Sequence, residues 1–453
     1  MMPPSHPASR PASVAGAAVR NRRSVGLRSA RGDAAASKWG RPAALIPCVV
    51  YLIIEFGRPG DWVPALAVLR PGLLASVWGF AAVLFLRQRP VPRPIWYMFG
   101  FLALMAYHVP TAYNNYWAYR GFEAFAVMLL GGVLPLSVLP DSRRSIRFLL
   151  VGWFWIHVPI ALYAVTHHGR GPGTWTGDEN DLALALNVAL GITVYLWIER
   201  RSMLLIAGMG LFLAAIVASQ SRGGFVGLAG LGLFLLVSGP HRRVVATFAV
   251  LAVIGLLLLA PAGYWQEVQS IGDSMQPGDT GDERLYSWRL GWRMFLDEPV
   301  LGVGTYNYAA RVADYQEINA GNLDSEGHWR RHMWGRTAHS LYFTLIPEHG
   351  VVGVALFAAM VGWAVRAVLR IRRRYRAVPD DEGARSDAML ASALAAGIFA
   401  VLATGTFLSV LYYPILWALV SLLGAHVGTL GPTDAPAPGA APVRARRPPG
   451  GAR

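Results

Sequence analysis

Between residues 43 and 428 the chain is a succession of long apolar runs cut by short breaks rich in Arg, Pro or Gly. A run of ~20 apolar residues is what an α-helix needs to cross the hydrocarbon core of a bilayer. Many such runs in series leave a soluble fold too little polar surface to present. Composition agrees: of 453 residues, 54% are hydrophobic and 15% charged, with a mean hydropathy of +0.38. Soluble domains carry roughly a quarter charged residues. The expected class is an all-α polytopic membrane protein with about twelve transmembrane helices, ten being the lower bound.

Apolar segments fall near 43–56, 72–86, 95–109, 121–139, 148–165, 182–198, 203–219, 223–238, 244–261, 341–369, 387–410 and 412–428. Several are shorter than ~20 residues, so flanking aromatic and small residues must complete them. They divide the chain into a disordered basic cytoplasmic tail (1–42), transmembrane helices 1–9 (43–261), one large periplasmic loop (262–340), transmembrane helices 10–12 (341–430) and a second disordered basic cytoplasmic tail (431–453). The first tail is too long and too polar for the short n-region of a signal peptide. With the N-terminus inside, the inner loops are Arg87 to Arg93, Arg143 to Arg147, Arg200 with Arg201, Arg242 with Arg243, and Arg366 to Arg385. All are basic clusters. The outer loops hold the isolated arginines Arg58, Arg70, Arg120, Arg170 and Arg222, as the positive-inside rule requires of an inner-membrane protein with both termini in the cytoplasm.

The formal net charge of +15 would suggest nucleic acid in a soluble chain. Here the basic residues sit in tails and short loops, where they anchor and orient helices, so no nucleic-acid partner is expected. The single cysteine, Cys48, lies inside the first apolar run. It offers no internal disulfide or metal cluster and reads as a small apolar filler.

The outer loop 262–340 is unlike the others: at roughly eighty residues it far exceeds the usual connection between packed helices. It carries Asp273, Asp282, Glu283, Arg284, Arg289, Arg293, Arg311, Arg330, Arg331, Arg336 and His339 among Trp and Tyr residues. Long loops held by a rigid scaffold are where chemistry concentrates. Before it, Arg222 lies in Ser219-Gln220-Ser221-Arg222-Gly223-Gly224, between two spans. It reads either as an arginine snorkelling at the interface or as an anion site whose neighbouring glycines let a ligand approach the backbone. Within the loop, Trp288, Trp292 and Phe295 recur at helical spacing beside Arg289 and Arg293 and end at Pro299. This predicts an amphipathic helix in the headgroup layer, with Arg289 and Arg293 as surface or headgroup contacts. Arg284, at its N-terminal end, can bind phosphate with help from free backbone N–H groups. Gly302 and Gly304 lack the context of a nucleotide loop and predict a tight turn. His339, where the polar loop re-enters the membrane, is a general-base candidate because its ordinary pKa lies near the operating pH. Glu348 and His349 either orient it or cap a short helix before Gly350. The acidic residues show no metal-ligand spacing such as HExxH, and His167-His168 is too isolated to form a site.

In this order these elements resemble the O-antigen ligase and O-antigen polymerase superfamily of bacterial envelope glycosyltransferases. The matching positions are Arg222; Arg284 with Trp288; Pro299; Gly302 with Gly304; His339 with Ser340; and Glu348-His349-Gly350-Val351-Val352-Gly353. Asn180, before the 182–198 segment, resembles the family's Asn at that place, whereas Ser340 stands where Asn is commoner. The resemblance implies a metal-independent, GT-C-like glycosyltransferase in the bacterial inner membrane, with its active site facing the periplasm and no cofactor. Its donor would be an undecaprenyl-diphosphate-linked glycan, and its acceptor lipid A–core, a protein or a growing polymer. Arg222 and Arg284 would bind the diphosphate and His339 would be the general base. Trp288, Arg289, Asn180, Ser340 and Glu348 would support them, and membrane lipids would surround the apolar bundle. A ligase and a polymerase need the same donor chemistry, and the motifs do not separate them. A transporter would call for charged or broken helices at mid-membrane. The ionisable residues inside spans are few, such as Glu55, Glu123 and His157, and no internal repeat is visible.

Overall fold

The computed structural model describes residues 42–87, 89–238, 246, 280–317 and 332–430. Both expected tails, nearly all of the 244–261 segment, the Arg242–Arg243 loop and the loop stretches 262–279 and 318–331 with Asp273, Arg330 and Arg331 lie outside the described residues. Among those described the chain is all-helical, with no strand. In chain order the helices are α1 (Pro42–Leu52, prolonged by a π turn at Ile53–Gly57), α2 (Pro71–Leu86), α3 (Arg93–Thr111), α4 (Asn115–Met128, prolonged to Val138 through a π turn at Leu129–Val133), α5 (Arg143–Thr166), α6 (Glu179–Arg200), α7 (Met203–Ala218), α8 (Arg222–Ser238), α9 (Thr280–Asp297), α10 (Leu341–Ala377), α11 (Glu382–Thr404) and α12 (Pro414–Thr429). Five are long and apolar enough to cross a membrane by length and composition: Asn115–Val138, Arg143–Thr166, Glu179–Arg200, Leu341–Ala377 and Glu382–Phe407. Ala43–Gly57, Pro71–Leu86, Met203–Ala218, Arg222–Ser238 and Pro414–Thr429 are shorter apolar helices.

Local chemistry sets many of the boundaries. Asp178 caps α6 by accepting from the Asn180 and Asp181 N–H groups, Asp381 caps α11 in the same way, and Ser142 caps α5. Proline opens α2 and α12, where its missing N–H is no loss. The centre of the bundle is α6, apolar all round and buried on every side against α5, α7, α8 and α11. Small residues let α8 approach it closely: Gly224 faces Ala183, and Gly227 faces Thr404 of α11. The buried Asn187 of α6 donates from Nδ2 to the Gly224 carbonyl at 3.0 Å.

The loops sort to two ends. At one, Arg147 binds Glu199 and Ser386, Arg143 binds Asp387 at 2.9 Å, and Arg372 donates to Ser392 at 2.9 Å. These are residues of the predicted inner clusters, brought together. One cluster needs correction, because Arg366 to Arg385 is no loop. Helix α10 runs to Ala377 and α11 starts at Glu382, so most of those arginines ride on helix. Arginine is a good helix former, and cations complement the dipole at a helix C-terminus.

At the other end α10 is broken. Gly350 has φ 57° and ψ −162°, a conformation open in practice only to glycine. The break uncouples carbonyls from N–H groups on either side of it, and the turn after α9 satisfies both sets. Val351 and Val352 donate to the carbonyls of Pro299 and Val300 at 2.9 and 3.1 Å; Val303 and Gly304 donate to those of Pro347 and Glu348 at 2.9 and 3.1 Å. All four N–H groups and all four carbonyls therefore keep a partner. The Glu348 side chain completes the clamp by accepting from the N–H groups of Tyr306 and Tyr308, both at 3.0 Å, and from the Tyr412 hydroxyl. Glu348 thus holds the glycine turn and meets the N–H that opens the short helix Tyr308–Arg311. His349 donates to, or accepts from, the Tyr412 hydroxyl at 2.7 Å.

Gly350→Ala adds a Cβ 2.5 Å from the Val300 carbonyl oxygen and forces alanine into the glycine-only region, at a cost of about 1–3 kcal/mol from backbone strain alone. The expected outcome is a clearly lowered thermal midpoint in detergent. Gly210→Ala on α7, where a Cβ meets nothing within 4 Å, should leave the midpoint unchanged or slightly raised.

Candidate functional site

The clamped turn positions the residues singled out in the sequence. Below it, Arg222 is the first residue of α8. The Ser221 hydroxyl accepts from the Gly224 N–H at 2.9 Å, capping the helix, and donates to Asn180 Oδ1 at 2.6 Å. Asn180 thereby holds the hydroxyl that caps α8, next to Arg222. The glycines beside Arg222 do not open the backbone to a ligand as the sequence suggested. Gly223 faces Phe407 and Gly224 packs on α6.

Above it lies α9. It is described from Thr280, so Arg284 sits at least a full turn inside the helix rather than at its N-terminus, away from the free N–H groups of a first turn. One face of α9 carries Tyr286, Leu290 and Met294 into a small core with Val303, Tyr308, Val312, Met333 and Ala338. The Tyr308 hydroxyl donates to the Ser287 carbonyl at 2.6 Å, tying the helix to the turn. The opposite face exposes Leu285, Arg289, Trp292 and Leu296. Arg289 accordingly points away from the side on which Arg284 and Trp288 lie. Arg293, expected at the surface or on headgroups, is paired with Glu317.

Trp288 is the hinge between these parts. Its ring stacks on Phe343 of α10 with centroids 5.0 Å apart and lies 6.2 Å from Phe407, which itself contacts Gly223. Its Nε1–H donates to the Ala338 carbonyl at 2.8 Å. Ala338 and Ser340 are buried, and the Ser340 hydroxyl accepts from the Phe343 N–H as the N-cap of α10. Between them His339 is exposed and held at φ 46°, a left-handed conformation that costs a non-glycine residue energy. The chain is pinned on both sides so that this imidazole faces outward.

The electrostatics place the three groups together. Burial, and then the Arg222 guanidinium, push the Arg284 pKa below its ordinary value. Partial desolvation by the surrounding protein, then Arg284 and Arg336, hold the His339 imidazole below its usual range, while Asp178 and Glu283 pull the other way. Arg222, Arg284 and His339 thus share one electrostatic environment, with Asp178 and Asn180 at its edge. A concentration of fixed cations at the end of an apolar bundle suits a polyanionic ligand. A neutral imidazole beside it suits a proton acceptor. Among the described residues no three His, Cys, Asp or Glu side chains group as metal ligands.

Residues 207–358 match the family model Wzy_C, O-antigen ligase. Over this segment the chain is similar to the O-antigen ligase family. The resemblance read from the motifs is borne out, and a domain of this family implies a glycosyltransferase-like enzyme that handles glycans. The matched segment covers about a third of the chain, from α7 to the middle of α10, and contains Arg222, Arg284, His339 and Glu348. Asn180 lies before it. No curated protein matches the chain.

Several residues around the site escaped the sequence reading. His108 of α3 accepts at Nδ1 from the Thr305 N–H at 3.3 Å and donates from Nε2 to the Leu301 carbonyl at 2.9 Å. Asn307 accepts from the Asn114 N–H at 2.7 Å. Together they plug the glycine turn into the bundle. A polar residue within the 95–109 apolar run was the one available signal. Their partners lie nearly two hundred positions away, beyond any local pattern.

Because Arg336 lowers the His339 pKa through its charge, Arg336→Gln should raise it. A titration of the His339 ring followed by NMR is expected to move to higher pH in the variant, with the neutral form lost earlier as pH falls. An unchanged midpoint would show that the two side chains do not interact.

Proposed function

We propose that the protein is an O-antigen ligase-type glycosyltransferase of the bacterial inner membrane, moving a glycan from undecaprenyl diphosphate to a periplasmic acceptor such as lipid A–core or a protein. The observation that carries this reading is the meeting of Arg222 and Arg284, from helices far apart in sequence, beside the outward-held His339. The leaving group of such a reaction is a lipid diphosphate. Two guanidinium groups offer it bidentate hydrogen bonds and stabilise the charge that develops as the glycosidic bond breaks. His339 takes the proton from the acceptor hydroxyl as that oxygen attacks the anomeric carbon. The donor linkage is already activated, so the reading requires neither nucleotide nor metal.

The site lies at the end of the bundle opposite the basic loops, which the positive-inside rule assigns to the cytoplasm. On that assignment it faces the periplasm, and about twelve spans with both termini inside complete the topology. Exposed Leu285, Trp292 and Leu296 on α9 fit a helix resting in the headgroup layer, where the carrier's diphosphate lies. A polymerase that joins repeat units on the same carrier uses the same groups. In a deletion strain, loss of a ligase leaves full-length polymer on the carrier, and loss of a polymerase leaves single repeats.

With purified protein and lipid-diphosphate-linked glycan, Arg222→Ala, Arg284→Ala and His339→Ala are each expected to lower turnover by ~10²-fold or more. Arg284→Lys should fail as well, because an ammonium cannot reproduce the bidentate fork. Wild-type rates in Arg222→Ala and His339→Ala would remove the assignment of this site.

A further inference from the structure

At the basic end of the bundle, away from the Arg222–Arg284–His339 site, α3, α10 and α12 enclose a cavity of about 480 Å³. Four arginines line it: Arg89 and Arg93 at the entry to α3, and Arg366 and Arg370 one turn apart on α10. Tyr97 and Trp363 supply its apolar wall. Among the described residues no carboxylate lines the cavity. Asp141 is the carboxylate that acts on Arg89, and its Oδ1 already accepts from the Ser145 hydroxyl at 2.9 Å. Arg89 donates from Nη2 to the Asp141 backbone carbonyl, yet its Nη1 is buried with no hydrogen-bond partner among the described residues.

Arg366 of α10 folds back along its helix: its guanidinium lies over Gly362, where a Cβ would sit 3.7 Å from its Nη atoms. Its charge is therefore a turn deeper toward the apolar part of the helix than its own Cα. Beside the cavity Val365 and Leu369 on α10, and Trp96 on α3, are exposed apolar side chains. A ligand here meets guanidinium groups at one end and an open apolar flank at the other. Pockets of this kind between membrane helices, on the basic side, suit a lipid headgroup.

We propose that this cavity binds the headgroup of an anionic phospholipid of the leaflet at the basic end, with its acyl chains along Val365, Leu369 and Trp96. Its phosphate accepts from Arg89 Nη1, Arg366 and Arg370. The site is separate from the glycan-transfer reading and stands whether or not that reading does.

The test uses the full-length protein in nanodiscs of mixed phosphatidylglycerol and phosphatidylcholine, with retained lipid counted by native mass spectrometry after detergent extraction. Wild type should retain phosphatidylglycerol in preference to phosphatidylcholine. Arg366→Gln/Arg370→Gln should lower that preference about 25-fold, at roughly fivefold per charge removed. Arg93→Gln, at an exposed position, should lower it about fivefold and serves where the double variant does not fold. Millimolar inorganic phosphate should not displace the lipid. Retention unchanged in folded variants overturns the proposal, and so does equal displacement by inorganic phosphate, which would make the cavity a site for free phosphate.

Discussion

The site depends on the broken turn of α10 at Gly350. A continuous helix there would satisfy its own backbone and leave the segment after α9 with nothing to bind. Broken, it offers carbonyls and N–H groups that the 299–304 turn fills in matched pairs, with Glu348 adding three acceptor contacts from its side chain. Buried backbone groups left unpaired near a bilayer are expensive, so each half of this arrangement requires the other. His108 and Asn307 fasten the same turn to α3 and to the α3–α4 connection. A polar segment is thereby made as rigid as the apolar bundle it sits on.

That rigidity is what lets two cations face each other. Burial and then the Arg222 charge lower the affinity of Arg284 for its proton, and no flexible loop would hold the pair so. Trp288 bears on both sides of the problem. Its ring joins α9 to α10 and to Phe407, while its N–H fixes the segment that presents His339. Strain at His339 is maintained because Ala338 and Ser340, on either side, are buried and bonded.

The two ends of the bundle use arginine differently. At the basic end Arg143 and Arg147 are consumed by Asp387 and Glu199, which staple α5 to α11 and α6. Arg89, Arg93, Arg366 and Arg370 instead line an open cavity. At the opposite end Arg222 and Arg284 lie beside one histidine.

Helix positions were legible in the sequence because the period and length of apolar runs report the demand of the bilayer directly, and every segment that falls on described residues is a helix. The motif residues Arg222, Arg284 and His339 were legible too, each as a polar group where an apolar neighbourhood or an interface makes it conspicuous. Their roles in packing were not. That Asn180 holds a helix-capping hydroxyl, that Glu348 clamps the glycine turn, that the glycines after Arg222 serve helix contact, and that α9 starts at least a turn before Arg284 all depend on partners distant in the chain. Local pattern records what a residue needs from solvent or lipid; which distant group satisfies a buried donor or acceptor is decided only when the chain folds and those groups compete for one another.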